Sequence, residues 1–235
     1  MRPLTAHTPK PLLMAGGKPL IVWHLEKLAA LGVRDVVINT SWLADCFAPA
    51  LGDGADFGLR LHYLFEGHEP LETGGGMLNA LPLLGDAPFI AIAGDVWTDL
   101  DFATLPREPQ GMAHLVMVSN PDHHGGGDFV LDGDGLLQRA RSAKAGASAA
   151  GHIAPPALTF SGIGVYRPEF LASWPDAVGD ASGVAESPPR FKLRPLFEAA
   201  INRAALTGQR HHGAWTDVGT PERLAVLEEQ LRRAR

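Results

Sequence analysis

The segment that decides the fold is Phe89-Ile-Ala-Ile-Ala-Gly-Asp95, a short apolar run that ends at a glycine and an aspartate. The continuous apolar run predicts a buried strand over residues 89–93. In open α/β sheets, ligands bind beyond the carboxyl ends of the strands. Asp95 is expected at that place, where a carboxylate can bind Mg²⁺ together with phosphate oxygens and water. Capping a helix or solvating a loop is the alternative role for this side chain.

Helix and strand patterns alternate on both sides of this segment. Amphipathic or capped patterns predict helices over residues 19–31, 41–51, 74–84, 193–206 and 221–235. Apolar or alternating runs predict strands over residues 35–39, 59–65, 114–119 and 159–166. Residues 141–156 and 176–189 have the composition of surface loops. We therefore expect one α/β domain over residues 1–235, with a Rossmann-like, mainly parallel sheet flanked by helices.

Composition narrows the class of protein. A chain of 235 residues can bury a sizeable core without disulfides or structural metal. Its 26 acidic and 20 basic residues argue against a nucleic-acid-binding module, which carries a basic face. Cys46 is the only cysteine, and no apolar run approaches the ~18 residues that span a bilayer. These features, and an N-terminus without a signal-peptide pattern, predict a cytoplasmic protein with no membrane or nucleic-acid partner.

A second acidic residue lies near the end of the chain, in Trp215-Thr-Asp217-Val-Gly-Thr220. Thr220 is suited to cap the last helix, which places Asp217 in a short extended segment just before it. Two carboxylates delivered from separate strand ends are what one Mg²⁺ that bridges phosphates requires. Asp95 and Asp217 together therefore predict a magnesium site.

Four other motifs could carry chemistry. The glycines at 74–76 begin a helix, so that a ligand can approach the backbone and the free N–H groups there. Lys10 lies between two prolines and could neutralise phosphate. The pairs at 123–124 and 211–212 are histidines, for which loop or substrate contacts are favoured over zinc because no third ligand has defined spacing. Asp99 and Asp101 form an Asp-x-Asp triplet, as metal-dependent glycosyltransferases do.

In this order along the chain, several short motifs resemble those of the sugar-phosphate nucleotidyltransferase family. They are Pro3-Leu-Thr5, Lys10-Pro-Leu, Pro19-Leu-Ile, Leu71-Glu-Thr-Gly-Gly, Gly94-Asp95, Phe160-Ser-Gly162-Ile, Phe191-Lys192-Leu and Trp215-Thr-Asp217-Val-Gly-Thr220. The segments at 71–76 and 120–125 are most similar to the branch that uses N-acetylmuramate α-1-phosphate in cell-wall recycling.

The resemblance implies a fold of the nucleotide-diphospho-sugar transferase type and a reaction. An oxygen of a sugar 1-phosphate attacks the α-phosphorus of UTP, and pyrophosphate leaves. Asp95 and Asp217 would hold Mg²⁺, while Lys10 and Lys192 would neutralise phosphate charge. The substrate contacts implied in addition are Asn39, Glu72, Thr73, Gly74, Gly75, Gly94 and Gly162. Such a set fits phosphoryl-type transfer, which needs alignment and charge neutralisation more than an acid or a base.

One difference from the family concerns the N-terminus. Family members carry a β-strand and a Gly-x-Gly-x-Arg phosphate loop directly before the segment that begins here at Met1. No other Gly-x-Gly-x-Arg occurs in the chain. The resemblance thus implies that the 235-residue form is truncated relative to the family, with an unpaired centre of the sheet. We expect it to be less stable and less active than a form with that segment.

Three alternatives stay open. The first is a mannose 1-phosphate guanylyltransferase of the same family. The second is a metal-dependent glycosyltransferase that uses Asp99 and Asp101, for which loss of Mg²⁺-dependent turnover on alanine substitution would follow Asp99 rather than Asp95. The third is a non-catalytic relative that binds nucleotide sugars. The sequence gives no basis for predicting the oligomeric state.

Overall fold

The fold was analysed in a computed structural model that describes residues 1, 3–140, 155–180 and 183–233. The helices are α1 (Leu20–Ala30), α2 (Phe47–Leu51), α3 (Glu72–Leu84), α4 (Pro168–Ala172), α5 (Trp174–Val178), α6 (Arg194–Asn202) and α7 (Pro221–Arg233). The strands are β1 (Met14–Ala15), β2 (Lys18–Pro19), β3 (Asp35–Thr40), β4 (Arg60–Phe65), β5 (Phe89–Ile92), β6 (Val96–Thr98), β7 (Ala113–Val118), β8 (Phe129–Leu131), β9 (Leu137–Arg139), β10 (Thr159–Tyr166), β11 (Leu206–Arg210) and β12 (Trp215–Asp217). None of the helices in these ranges is long and apolar enough to cross a bilayer.

The largest sheet has four strands in the order β11-β7-β10-β5. Strands β7 and β11 are parallel, whereas β10 is antiparallel to both β7 and β5. The α/β class is confirmed, but the expectation of a mainly parallel sheet is wrong, because the sheets are mixed. Between β7 and β10 the chain forms the antiparallel β8–β9 hairpin, and β10 then runs in the direction opposite to β7.

Strands β3 and β4 form a separate parallel pair. Among the described residues no ladder joins β3 to β5, although Val36 of β3 and Ile90 of β5 pack against the same hydrophobic cluster. The residues of β5 are only half-buried, even though they form a continuous apolar run. The sheet is therefore interrupted beside the strand that leads to Asp95.

The core is built in clusters around these sheets. The largest cluster packs the four-stranded sheet against α6, with Phe197 in ring contact with Phe129, Phe160, Tyr166 and Phe170. A smaller cluster packs Leu227 and Leu231 of α7 against Leu20 and Val218. Helix α7 is thereby fixed next to β12, which leads directly into it.

Several predicted elements differ from the structure. Residues 41–51 do not form one helix, because Leu43 has a left-handed φ of 58° and the Ser41 hydroxyl donates to the Gly67 carbonyl instead of capping. The helix predicted over 193–206 ends at Asn202, and Leu206 begins β11, a strand that the sequence pattern did not indicate. The surface loop predicted at 141–156 lies outside the described residues except for its last two.

Candidate active site

Asp95 lies just after β5, and Lys10 reaches it from the N-terminal segment. The Lys10 ammonium donates to Asp95 Oδ2 at 3.3 Å, across 85 positions of sequence. Lys10 begins a short 3₁₀ helix, Lys10–Leu12, whose Pro11 ring packs on Gly94. A Cβ at position 94 would be 2.9 Å from Pro11 Cγ, so glycine is what permits this approach. Lys10, Gly94 and Asp95 thus form one unit, as the sequence predicted.

Asp217 is brought to the same place by the antiparallel β6–β12 ladder. In that ladder Asp217 is opposite Val96, and the Val218 amide donates to the Asp95 carbonyl at 2.7 Å. The two aspartates therefore lie at one end of the ladder, although 122 positions separate them in the sequence. This is the pair that the sequence analysis proposed from two separate strand ends.

Two side chains that the sequence analysis did not assign to this site bind Asp217. The Arg223 guanidinium donates from Nη1 to Asp217 Oδ1 at 2.9 Å, and His123 Nε2 lies 3.1 Å from the same oxygen. Arg223 is in the first turn of α7, where the helix dipole disfavours a cation. An arginine at such a position is a signal that an anion is nearby, and it could have been used to find this contact.

A buried histidine supports the turn that carries Asp95. His24 of α1 is 3% exposed, and its Nε2 lies 2.8 Å from the Val96 carbonyl, where the Nε2–H tautomer donates a hydrogen bond. Burial lowers the pKa of the His24 imidazole from 6.5 to about 4, more than the hydrogen bond to Val96 raises it. The ring is therefore neutral at pH 7 and fixes the backbone one residue after Asp95.

A pocket of about 290 Å³ opens beside Asp217. Its lining includes Asp217, Trp215, Ser161, Gly162 and His123. Strand β10 has a register shift here between Phe160 and Gly164, and Gly162 adopts a φ of 81° that favours glycine. Because the Trp215 indole donates to the Ser161 carbonyl at 2.9 Å, the wall of the pocket is tied to β12.

Asn120 holds the loop that forms part of the wall of this pocket. Asn120 donates from Nδ2 to the carbonyls of Gly125 and Ala157, and its Oδ1 accepts from the Thr159 hydroxyl. These contacts hold the loop with His123 and His124 against β10. The pocket is thus lined by Asp217 together with the loop that carries His123, whose Nε2 lies 3.1 Å from Asp217 Oδ1.

The second group of predicted residues surrounds the start of α3. The amides of Gly74 and Gly75 donate to the Phe191 carbonyl at 3.0 and 3.1 Å, so the expectation that these N–H groups are free for a ligand is wrong. The exposed Lys192 follows Phe191 directly in the chain. Glu72 opens the helix with a left-handed φ of 61°, which is rare for a residue with a side chain. Strained backbone of this kind persists only where the surrounding structure holds it, and it is often found at binding sites. Thr73 follows in the first turn and is exposed.

Asn39 belongs to this second group through a residue that the prediction omitted. The Asn39 amide donates to Glu66 Oε1 at 2.7 Å, and the Leu71 amide donates to Glu66 Oε2 at 3.0 Å. A Cβ at Gly76 would overlap the Glu66 carboxylate, so the glycine allows this packing. Glu66 follows directly on β4, and an acidic side chain at a strand end was the available signal.

Asp99 and Asp101 have other partners. Asp99 Oδ1 is 2.7 Å from His211 Nε2, and Asp101 accepts from the Ala103 amide, capping a short 3₁₀ helix. Burial acts to raise the pKa of Asp99, but hydrogen bonds from Ala214 and His211 outweigh it and hold the pKa below its ordinary value. The Asp-x-Asp triplet is therefore part of the local structure.

The carboxylates of Asp95 and Asp217 fit a site for Mg²⁺. Among the described residues no group of three or more His, Cys, Asp or Glu could enclose a metal ion. Asp95 and Asp217 offer two carboxylates, and Mg²⁺ often takes one or two carboxylates and completes its octahedron with phosphate oxygens and water. Lys10 faces Asp95 and Arg223 faces Asp217, so a metal ion at the two carboxylates would meet a cation beside each of them.

Comparison with known proteins identifies the family of the chain. The nucleotidyl transferase family pattern matches residues 1–124. The chain is 42% identical over 229 residues to an N-acetylmuramate alpha-1-phosphate uridylyltransferase of Neisseria meningitidis serogroup B, covering 95% of this chain and 90% of that protein. A protein of the same name from Caulobacter vibrioides is 31% identical over 246 residues, with 100% and 93% coverage.

Solved structures show the same fold. A Bacillus anthracis structure described as a glucose-1-phosphate thymidylyltransferase superimposes with a TM-score of 0.75 at 18% identity, covering 99% of this chain and 90% of that one. The nucleotide-diphospho-sugar transferase type of fold, predicted from the resemblance, is confirmed. With the family pattern and the two long matches, these findings establish that the chain belongs to the sugar-phosphate nucleotidyltransferase family.

Proposed function

We propose that the chain transfers a uridylyl group from UTP to N-acetylmuramate α-1-phosphate, giving the UDP-sugar and pyrophosphate. The observation that carries the proposal is the placement of Asp95 and Asp217 at one end of the β6–β12 ladder, beside a pocket of about 290 Å³. The names of the two relatives matched over nearly their whole length support the choice of base and sugar.

The proposed reaction is a displacement at the α-phosphorus of UTP. An oxygen of the sugar 1-phosphate forms the new P–O bond, and the bond from the α-phosphorus to the bridging oxygen of the β-phosphate breaks. The attacking phosphate oxygen is already ionised at pH 7, so the chain need not supply a general base. The pair of electrons in the broken bond leaves with pyrophosphate, which is stable as an anion. Catalysis of this kind depends on positioning and on neutralising phosphate charge.

The residues of the site divide this work. The Lys10 ammonium lies 3.3 Å from Asp95 Oδ2. From this position it would neutralise phosphate oxygens near the reacting phosphorus. Gly162, in its left-handed conformation, lets the sugar approach the backbone of β10. Lys192 and the glycines at the start of α3 lie in the second group of residues, which would hold the remaining parts of the substrates.

Mg²⁺ is part of this proposal, and Asp95 and Asp217 would hold it. When bound, the ion supplies charge neutralisation and a common template for the two phosphate groups. His24 and the β6–β12 hydrogen bonds fix the backbone that presents both carboxylates. We also place the reaction in the cytoplasm, where UTP is available, and assign it to the reuse of muramate in cell-wall recycling.

The test is a pyrophosphate-release assay with purified protein and Mg²⁺, in which UTP or GTP is paired with N-acetylmuramate α-1-phosphate or mannose 1-phosphate. We expect the highest kcat/KM with UTP and the muramate. Preference for GTP and mannose 1-phosphate would instead identify a guanylyltransferase. Release of UDP from a UDP-sugar, without pyrophosphate from UTP, would identify a glycosyltransferase. Binding of sugar phosphate with no turnover would indicate the non-catalytic relative.

A further inference from the structure

Arg223 is the cation nearest to Asp217, and the mechanism above gives it no role. Its Nη1 donates to Asp217 Oδ1 at 2.9 Å, while the two side chains remain 26% and 30% exposed. The pair therefore lies at the edge of the pocket, where solvent and ligands can reach it. Such a contact is weak enough to be exchanged for another partner.

The local structure reserves space for this guanidinium. A Cβ at Gly219 would overlap Arg223 Nη2, so glycine is what lets the side chain fold back over the Asp217 turn. Within the described part of the chain, the buried Arg223 Nε has no hydrogen-bond partner. A buried donor without a partner is costly, and so is a cation in the first turn of a helix. The contacts of the guanidinium with Asp217 and with the His123 ring must offset both costs in the free protein.

Both carboxylates form an ion pair: Asp95 with Lys10 and Asp217 with Arg223. A divalent ion at the two carboxylates would draw on the same negative charge that these cations use. Binding of the ion would therefore weaken the Arg223–Asp217 contact. The released guanidinium would lie within a side chain's length of the phosphate that shares the ion.

We propose that Arg223 competes with the metal ion for Asp217 in the free protein and binds the phosphate of the sugar 1-phosphate when the ion is present. Guanidinium groups bind phosphate through paired hydrogen bonds, and the unpartnered Nε provides a further donor for such a contact. The phosphate half of this proposal rests on the proposed function. The competition half concerns only the free protein and a divalent cation.

Competition is tested by titrating the protein with Mn²⁺ alone and following the free ion by electron paramagnetic resonance. Arg223→Gln removes the charge and should bind Mn²⁺ about two- to fivefold more tightly, the size expected for losing a half-exposed ion pair. Arg232→Gln is the matched control, because this exposed arginine on the same helix pairs only with Glu228 and Glu229 among the described residues, and it should leave the affinity unchanged. Unchanged or weaker binding by Arg223→Gln would overturn the proposal.

A second variant reaches the same question without removing the arginine. Gly219→Ala places a methyl group where the guanidinium now lies, and the flexible end of Arg223 must move away from Asp217. We expect Mn²⁺ to bind more tightly, as in Arg223→Gln. This variant decides the question if Arg223→Gln does not fold, and an unchanged affinity would then contradict competition.

The phosphate half is tested by steady-state kinetics at saturating Mg²⁺ and UTP. Arg223→Gln should raise KM for the sugar 1-phosphate about tenfold, and Arg223→Lys should raise it less, because a cation is kept. An unchanged KM in an active Arg223→Gln enzyme would overturn this half. If no uridylyl transfer is found in the unaltered protein, the proposed function fails, but the Mn²⁺ titration still tests the competition.

Discussion

Strand β6 has an aspartate at each end, and the two differ in every respect that matters for function. Asp95 precedes the strand and belongs to the aspartate pair, and among the described residues its carboxylate is bound by the long, half-exposed side chain of Lys10. Asp99 follows the strand and is bound to His211 and the Ala214 backbone. The two aspartates are of the same residue type and directly flank the same three-residue strand, so neither residue type nor spacing distinguishes them. What distinguishes them is whether the partner of the carboxylate can be exchanged for a ligand.

The difference arises from the ladder between β6 and β12. At the Asp95 end, β12 delivers Asp217, a second carboxylate, and the pair attracts cations. At the Asp99 end, the incoming chain delivers backbone and an imidazole, which satisfy the carboxylate locally. A carboxylate that is satisfied by local hydrogen bonds stabilises structure, whereas the proposed function uses the two carboxylates at the Asp95 end to hold a metal ion.

The largest expected effect is at the functional end of this comparison. Asp217→Asn removes one of two metal ligands while keeping the shape of the side chain, and we expect kcat with Mg²⁺ to fall about 1,000-fold. Asp101→Asn, at the structural end, is the matched control and should stay within about threefold of the unaltered enzyme. Comparable losses in the two variants would remove the distinction between the two ends.

The position of β6, the strand between the two aspartates, is fixed in part by the hydrogen bond of His24 to the Val96 carbonyl. The ionisation of His24 therefore makes the stability of the protein depend on pH. In the unfolded chain the imidazole takes up a proton near pH 6.5, but in the folded protein only near pH 4. Stability should therefore fall as the pH is lowered from about 6.5 to about 4, by about 3 kcal/mol if the full shift is expressed.

This loss is measured by urea unfolding at pH 7, 5.5 and 4.5. His24→Gln can still donate a hydrogen bond to the Val96 carbonyl but does not titrate, so its stability should fall less over the same range. An identical fall in both proteins would show that other groups cause the acid sensitivity.

Lys10 sharpens the comparison from the cation's side. Lys10→Met removes the ammonium beside Asp95, and we expect kcat/KM to fall about 100-fold because phosphate charge is no longer neutralised there. Lys18→Met is the control, since Lys18 pairs with Glu26 and lies over the Trp23 ring. A loss of less than about threefold for Lys10→Met would mean that this cation serves only Asp95.

The smallest effect is expected at the structural end. Asp101→Ala removes the side chain that accepts from the Ala103 amide and should lower the free energy of unfolding by about 1 kcal/mol. Turnover should not change, because Asp101 has no contact with the aspartate pair among the described residues. Thermal unfolding and the pyrophosphate assay together check this, and a large kinetic defect would argue for the glycosyltransferase alternative.

The comparison also shows how far sequence reasoning reaches. Asp95 and Asp217 were found because a short apolar strand and a helix cap place each of them at an element boundary, and boundaries are local. Two partners of Asp217 were missed for different reasons. Arg223 follows it by only six positions, and its place in the first turn of a helix was not used as a signal. His123 lies 94 positions earlier and meets Asp217 only in the folded chain. The alternation of elements indicated the α/β class, but not the antiparallel return of β10, which depends on the path of the chain between strands.

The measurement that tests the account most directly compares Asp95→Asn with Asp99→Asn in one pyrophosphate-release assay, with UTP, N-acetylmuramate α-1-phosphate and Mg²⁺. The account predicts that Asp95→Asn loses about 1,000-fold in turnover, while Asp99→Asn stays within about threefold of the unaltered enzyme. Loss of turnover in Asp99→Asn with activity retained in Asp95→Asn would contradict it and place the reaction at the other end of β6.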